Sequence, residues 1–468
     1  MQTRRDQLQA YRFQNRRALA ALVTGEPNVV EPPMRRLTVM TIAGLMIAVL
    51  VAVVFALLGK FSPDTGDAWK DAGSIIIEQD TGAIYLYAPA TNELHPVLNY
   101  ASAVLAIQGN AQPHVVNVTR DDIKSAQRGY PVGIPGLPAT MPPKSGLVGS
   151  PWSVCSTQQV NKQSSKLFAR TTVNAGSDGG ARALPSSTPV LVRGVKGGSS
   201  YVLLDHQRFA VNADVAASLQ LNQSPVSVGT AFLDGIPAGP PLRAPLVPGA
   251  GEPSRAVPTA RVGQLVRATD TQQIALVVRD GLQRLTDKVQ AAILQTVRVG
   301  PGSGRQLPQQ DTTENVILSN RSPHDGPQLT AVLENIPTVI GTPSPAAQRA
   351  GGVCAVYRSS TVTFAVPPVN APTFAPGRAI ESATSAGGTA DDVLVPADGA
   401  ALIKSSDGAT TIFVVAPPGE KYAVTDGSVL SSFGYDGAKP TALPSQLLAI
   451  IPKGPALDPS SAGKAAHR

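Results

Sequence analysis

The chain has 468 residues, too many for one ordinary compact core, so two or three lobes are expected. It is 43% hydrophobic and only 15% charged, with 43 Gly, 42 Pro and 4% aromatic residues; this does not reach the composition of disorder and suits a turn-rich β protein built from Val, Ala and Leu. The net charge of +7 is concentrated ahead of residue 37, where seven Arg face three acids, and no basic stripe with interleaved aromatics follows, which argues against nucleic-acid binding.

Residues 1–36 form the first element. RRDQLQAYRFQNRRALAALV places Leu8, Tyr11, Ala18, Leu19 and Leu22 near one helical face, with Arg4, Arg12, Arg16 and Arg17 largely elsewhere. Two readings stand side by side: an interfacial helix on anionic lipid, and a docking helix for a cytosolic partner. Leu37–Leu58 follows without a single charge. At 1.5 Å per residue a helix over these residues is about 33 Å long, enough for a hydrocarbon core of about 30 Å. A signal peptide does not fit, because the preceding region is too long and GKFSPDTGD offers no small-x-small cleavage site. The arginines ahead of the span outweigh Lys60 and Lys70 behind it, which places the N-terminus in the cytosol and everything from Gly59 onward outside. No second apolar stretch of this length exists, so one pass is expected.

Cys155 and Cys354 are the only cysteines. An even count in an oxidising compartment reads as a disulfide, with two free thiols, open to oxidation, as the alternative. Closing a loop of about 200 residues is worth roughly 5 kcal/mol on the chain-entropy account.

Four stretches share one plan, a β-branched run, a polar turn and a helix-spaced Val/Ala segment: AIYLYAPATNELHPVLNYASAVLAI, SYVLLDHQRFAVNADVAASLQL, IALVVRDGLQRLTDKVQAAIL and TIFVVAPPGEKYAVTDGSVLSSFG. Aligned, Val97, Val211, Leu285 and Val424 are equivalent repeat-core positions, and the fourth copy needs a one-residue insertion to place Val429 and Phe433. AFLDGIPAGPPL and QLLAIIPKGPAL match at six of twelve positions behind the second and fourth copies. Each cysteine lies midway between two repeats, so the order reads repeat, core, repeat, twice over. The boundaries are repeat 1 at 70–125, first half of a central domain at 126–193, repeat 2 at 194–240, a stiff Pro-rich linker at 241–262, repeat 3 at 263–325, second central half at 326–405, repeat 4 at 406–458 and a flexible tail at 459–468. The disulfide joins the two central halves and the repeats lead outward from them.

LHPVLNYASAVL, residues 94–105, offers His95 as a catalytic candidate. The other copies carry Phe209, Gln283 and Tyr422 or Ala423 there, so a histidine mechanism would fail in three of four units; a strand-end packing role fits better. The five histidines, His95, His114, His206, His324 and His467, show no metal-ligand spacing. The glycines of GxxxxGK are replaced by Val54 and Asp458 ahead of the pairs Gly59–Lys60 and Gly463–Lys464, so no phosphate loop is expected. Asp121–Asp122 and Asp391–Asp392 read as solvated turns, because adjacent carboxylates point apart. Sugar stacking would have to use Trp69 and Trp152, or Tyr85, Tyr87, Tyr201 and Tyr422, which fit equally well as strand residues.

QAYRFQNRRALAAL, the single span, NELHPVLNYASAVL, VGIPGLP at 132–138, one cysteine per half and the closing LLAIIPKGPAL together resemble the EccB family, a membrane component of actinobacterial type VII (ESX) secretion systems. Residues 156–193 and 375–410 carry little of the likeness. The resemblance implies an α+β fold: an N-terminal cytosolic helix, a single transmembrane helix, and an elongated extracytoplasmic region with a disulfide-stapled central β-domain and four small αβ repeats in quasi-two-fold arrangement. It implies a scaffold subunit of an inner-membrane export complex, assembled with EccC, EccD and EccE and with copies of itself in a hexamer, without cofactor or metal. A peptidoglycan-binding anchor, or a weak ATPase as the family is sometimes described, is the alternative.

Overall fold

The computed structural model describes residues 3–26, 33–61, 67–107, 113–160, 165, 167–195, 198–300, 304–323, 336–368 and 388–466. The chain divides into two units, one made of the N-terminal helices and the other of nearly everything after residue 71.

In the first unit a basic helix covers Arg4–Thr24. Thr3 opens it: its N–H and hydroxyl donate to Asp6 Oδ2 at 3.1 and 2.6 Å, which holds the Asp6 carboxyl below its usual range. Gly25 ends it in the left-handed conformation at φ 73°, where a Cβ would be strained. A second helix, Pro33–Phe61, starts on a proline whose missing N–H costs nothing at a helix start. Both expected span ends, Leu37 and Leu58, lie inside it. Its Thr38–Phe55 portion has a mean hydropathy of 2.7, and none of its side chains is buried.

The centre of the second unit is a six-stranded sheet in the order Asp392–Leu394, Leu167–Asn174, Trp152–Val160, Gly352–Arg358, Thr361–Val366, Arg182–Ala183. The two middle strands come from opposite halves of the sequence and run antiparallel, with Cys155 opposite Cys354 and Trp152 opposite Tyr357. Their β-branched and aromatic residues are buried almost throughout, as a sheet covered on both faces requires.

Around it lie four small sheets. Repeat 2 shows the plan: a first strand Val190–Gly194, a hairpin of Ser200–Leu204 and Gln207–Val211, a helix Ala213–Ser218, a strand Val226–Val228 parallel to the first, and a second helix Thr230–Gly235. Repeats 3 and 4 follow it, opening at Leu265–Ala268 and Ala401–Ser405. Repeat 1 has the same first strand, hairpin and helix at Ser74–Glu78, Ile84–Ala88, Glu93–Pro96 and Tyr100–Ala106. The opening strand of repeat 4, and that of repeat 2 up to Arg193, lie within segments that the sequence reading gives to the central halves, because the aligned similarity begins only at the second strand.

In every repeat the chain returns to lie parallel to the third strand. Leu94 meets Arg128, Arg208 meets Ala238, Leu282 meets Arg321 and Lys421 meets Lys453. Three residues later stand Val97, Val211, Leu285 and Val424, each opposite the first residue of its hairpin, at Ile84, Ser200, Ile274 and Ile412. The step from the return contact to this position is the same in all four copies, although the hairpin turns before it differ in length. The irregular copy is repeat 2, where the helix cap Asn212 follows Val211 directly; in the others Asn99, Asp287 and Asp426 stand one residue further on.

The second helices of repeats 2 and 4, Thr230–Gly235 and Ser445–Ile450, pack on one another. They are the sequence pair AFLDGIPAGPPL and QLLAIIPKGPAL. A Cβ on Gly235 would come within 2.8 Å of Ile450 Cδ1, so the glycine sets how closely they approach. These helices and the opening strands of repeats 2 and 4 share one hydrophobic core with the central sheet. A second core joins repeats 2 and 3. A third joins repeat 4 to repeat 1, through Ala101, Leu105, Leu402, Val414 and Val429. The inner repeats are therefore 2 and 4, and each carries an outer repeat from the other half of the chain.

Two connections differ from expectation. The Pro-rich stretch 241–262 does not run as an exposed spacer: Leu242, Val247 and Val262 are buried in the core of repeats 2 and 3, and Pro253 bridges Arg261. Proline stiffened the segment, but its apolar residues had a core to enter. The carboxyl-terminal residues do not form a loose tail either. Pro459–Ala462 is a short helix capped by Asp458, Ala462 is buried, and Ala466 N–H donates to Pro131 O at 2.9 Å.

The close approach of the returning segment makes a quantitative expectation. A Cβ on Gly454 would fall 2.4 Å from Tyr422 Cε1 inside a filled core. Gly454→Ala should cost about 1–3 kcal/mol through overpacking. Gly427→Ala, with nothing within 4 Å of the new methyl, should leave the denaturant midpoint unchanged or higher.

Candidate functional site

Cys155 and Cys354 are joined, with a Cα–Cα distance of 4.0 Å across directly opposed residues and a sequence separation of 199. Both sulfurs are covered, in a cluster with Val356 and Ala365. Three residues along the same strand and on its other face, Tyr357 is fully buried, its hydroxyl donating to Gly235 O at 2.7 Å, and burial pushes its phenol pKa up. The central sheet and the second helix of repeat 2 are thus tied through one side chain.

His95 lies inside the third strand of repeat 1 rather than at an open cleft. It is buried; Nδ1 donates to Tyr130 O at 2.9 Å, Nε2 is 3.5 Å from Glu93, and the Tyr130 ring stands edge-on at 4.7 Å. The Gly129 backbone passes so near that a Cβ would sit 2.4 Å from the ring. Phe209 fills the same place over Gly239, and Tyr422 over Gly454, at 2.3 and 2.4 Å from the corresponding hypothetical Cβ. Repeat 3 has Gln283 facing the Ser322 position instead. The recurring unit is a flat side chain laid on a glycine, and the imidazole is one version of it. The signal in the sequence was the glycine of IPAGPPL and IPKGPAL.

Among the described residues no group of three or more His, Cys, Asp and Glu could hold a metal. His324 and His467 lie outside the described residues. Gly59–Lys60 is inside the apolar helix and Gly463–Lys464 follows a short helix, so neither lies in the strand-to-helix loop that a phosphate cradle uses. Asp122 accepts from the N–H and hydroxyl of Thr119 in an exposed turn. Asp391 and Asp392 do not form the solvated turn read from the sequence. Asp392 is buried and takes a bidentate pair from Arg170 at 2.5 and 2.6 Å, while Asp391 accepts the Thr171 N–H, so both fasten the 392–394 strand to the sheet. Trp69 and Trp152 are buried and Tyr422 is fully enclosed. Guanidinium groups of Arg128 and Arg208 cover Tyr85 and Tyr201 at 4.5 and 5.3 Å. Few ring faces are left for a sugar.

Arg4, Arg12, Arg16 and Arg17 are exposed, and Arg17 lies 5.8 Å from the Phe13 ring. At 100° per residue Arg4 falls on the stripe of Leu8 and Leu22, so the segregation of charge is partial. Leu8, Tyr11, Phe13, Leu19 and Leu22 are also exposed, leaving this helix with basic and apolar surface to offer.

A groove of about 1070 Å³ lies between repeats 1 and 4. Tyr100, Val104 and Phe433 form apolar wall; Asp426, Asp436 and Asp458 stand on the rim. Asp426 accepts from the N–H of Ser428 at 2.7 Å and from its hydroxyl, which lowers its carboxyl pKa, while the nearby charge of Asp458 opposes the shift. Asp458 is lowered by the hydroxyls of Ser461 and Ser460 at 2.6 and 2.8 Å. Both carboxyls are charged at neutral pH.

A family model described as "Type VII secretion system ESX-1, transport TM domain B" matches residues 1–467. The chain is 34% identical over 296 residues to the ESX-2 secretion system ATPase EccB2 of Mycobacterium tuberculosis, covering 61% of this chain and 57% of that protein. It is 32% identical over 329 residues to the ESX-5 secretion system ATPase EccB5 of Mycobacterium marinum, covering 65% of this chain and 63% of that protein. The matched region thus spans less than two thirds of these relatives. Among solved structures, a chain of an intact ESX-5 inner membrane complex has a TM-score of 0.60 at 24% identity, covering 100% of this chain and 96% of that one. The EccB3 dimer from the ESX-3 core complex gives 0.56 at 23% identity, covering 84% of this chain and 100% of that one. These likenesses carry the fold.

The staple joins strands far apart in sequence. Cys155→Ser, or reduction of the wild type, should lower stability by roughly 2–5 kcal/mol. Thermal midpoints with and without reductant check this, and equal midpoints would contradict it.

Proposed function

The chain belongs to the EccB family, and from that premise we propose that it is a scaffold subunit of a type VII secretion inner-membrane complex. One observation carries the reading: an uncharged stretch of helix with no buried side chain over Thr38–Phe55 adjoins, in sequence, a large unit built round a disulfide-stapled sheet. An apolar helix with this exposure needs lipid or partner helices. The unit that follows offers a rigid, stapled frame with four related modules, which suits holding other subunits in register.

The seven arginines ahead of the span support a cytosolic N-terminus and an extracytoplasmic stapled unit, and a disulfide suits that compartment. Partners of EccC, EccD and EccE type, and further copies in a hexamer, complete the proposal. The exposed basic and apolar surface of Arg4–Thr24 supports a contact there with anionic lipid or with cytosolic parts of such partners. The resident complexes of related proteins are named as ESX assemblies, which favours this role over wall anchoring.

Replacing Arg16 and Arg17 by Glu reverses two exposed charges without touching a core. The double variant should reach the membrane, yet yield less intact complex on detergent extraction, read by mass photometry and by mass spectrometry of the co-purifying chains. Complex of unchanged size and yield would remove these arginines from assembly.

A further inference from the structure

The pairing of Cys155 with Cys354 relates the two segments that lead into the middle strands of the central sheet. With that offset of 199 residues, Lys144 corresponds to Pro343 and Gly149 to Gln348. The inner repeats correspond likewise. Val226 pairs with Val192 and Thr441 with Ile403, each partner being the third residue of its opening strand. Pro225 therefore matches Pro440, Ser224 matches Lys439 and Gln223 matches Ala438. On the repeat 2 side the leading segment and the entry to the strand are closed on one another by two amides. Gln348 Nε2 donates to Ser224 O at 3.2 Å, and Gln223 Nε2 donates to Pro343 O at 3.1 Å. On the repeat 4 side Gly149 and Ala438 stand where the glutamines would be, and the junction holds a cavity of about 210 Å³. Lys144 and Lys439 line it and are exposed, Leu147 and the buried Leu402 form apolar wall, and Thr441 brings a hydroxyl. Among the described residues that line it none is acidic. Lys144 Nζ donates to the backbone oxygen of Asp436, whose carboxylate accepts from Ser431. Among the described residues neither ammonium has a carboxylate within ion-pair distance.

We propose that this cavity binds a phosphate group, as the free ion or on a small ester, held by the two ammonium groups and the Thr441 hydroxyl. Three features select the occupant. The volume lies below the range of about 300–1,000 Å³ that drug-sized ligands fill, so the guest is a small group. Two like charges at a recess without an acid concentrate anions there, and the apolar wall strengthens the attraction by excluding water. Lysine offers a compact point charge that suits a tetrahedral phosphate, whereas a planar carboxylate is matched by the guanidinium fork, and no arginine lines the cavity among the described residues. The counterpart beside repeat 2 takes no such guest, because the two glutamines close it. The proposal is independent of the scaffold reading and concerns binding alone.

The test uses the full-length chain in a maltoside detergent with inorganic phosphate, read by the phosphorus NMR line width. Broadening should saturate. Lys144→Gln with Lys439→Gln should weaken binding at least about tenfold, the loss expected for one charge-assisted contact. Gly149→Gln with Ala438→Gln installs the closure of the repeat 2 side and keeps both ammonium groups. A Cβ at 149 meets nothing nearer than Thr441 Oγ1 at 3.7 Å, so this variant should melt with the wild type and yet bind phosphate at least about tenfold more weakly. Should it melt early, Gly149→Gln alone carries the same expectation. Lys453→Gln removes an exposed lysine outside the cavity and should leave the affinity unchanged. Glycerol phosphate in place of the ion separates the two sources, the tighter binder being the form that the cavity takes. Absence of saturable broadening, acetate competing as well as phosphate, or wild-type affinity in either double variant overturns the proposal. An equal loss in Lys453→Gln assigns the binding to general surface charge and overturns it as well.

Discussion

The antiparallel pairing of Trp152–Thr157 with Gly352–Tyr357 is the contact from which the arrangement of the large unit follows. It brings together strands separated by 199 residues, a loop whose closure is entropically costly. The disulfide removes part of that cost by restricting the unfolded chain, and it does so at the one residue pair that opposes itself across the pseudo-dyad. Once those strands are paired, the symmetry leaves little choice for what flanks them. The helices after repeats 2 and 4 must meet, and Gly235 lets them meet closely enough for Tyr357 to bond its carbonyl. Docking of the inner repeats is thereby fixed to the same frame.

The repeats themselves are too small to bury a sufficient core alone, and the shared clusters are the remedy. Within each repeat the returning segment has to approach the third strand closely, and glycine at 129, 239 and 454 permits a ring to lie across it. This constraint explains why His95, Phe209 and Tyr422 are interchangeable in place though not in chemistry. It also gives the imidazole in the strip 94–105 a packing role: the ring is enclosed by Tyr130 and Gly129, with Nδ1 on Tyr130 O and Nε2 facing Glu93.

Much of this could be read from residues. The apolar span, the cysteine pair and the register of Val97, Val211, Leu285 and Val424 rest on local pattern, which composition and spacing reveal. What could not be read depended on contacts between distant segments. Prolines in 241–262 announce stiffness, but nothing local shows that Leu242, Val247 and Val262 have a core to enter. Asp391–Asp392 resembles any polar turn until the 392–394 strand is seen beside Arg170. The opening strands VLVRG and ALIKS carry no repeated motif, so the alignment missed them. The groove was hidden for the same reason, since its two walls stand more than 300 residues apart in the chain.

That distance has a consequence for assembly. Repeat 1 is made first, yet its helix completes its core with Leu402, Val414 and Val429 of repeat 4 and with Ala462 at the end of the chain. The last described residues then bond back to Pro131, and Val132 bridges Ala465. Contacts of such sequence separation form late and slowly. Repeat 1 has a small cluster of its own around Ile75, Ala103 and Val104, but the other face of its helix is covered only once repeat 4 has been made. The contact between repeats 2 and 3, whose segments are close in sequence, has no such delay, and Arg298 of one meets Asp214 of the other across it.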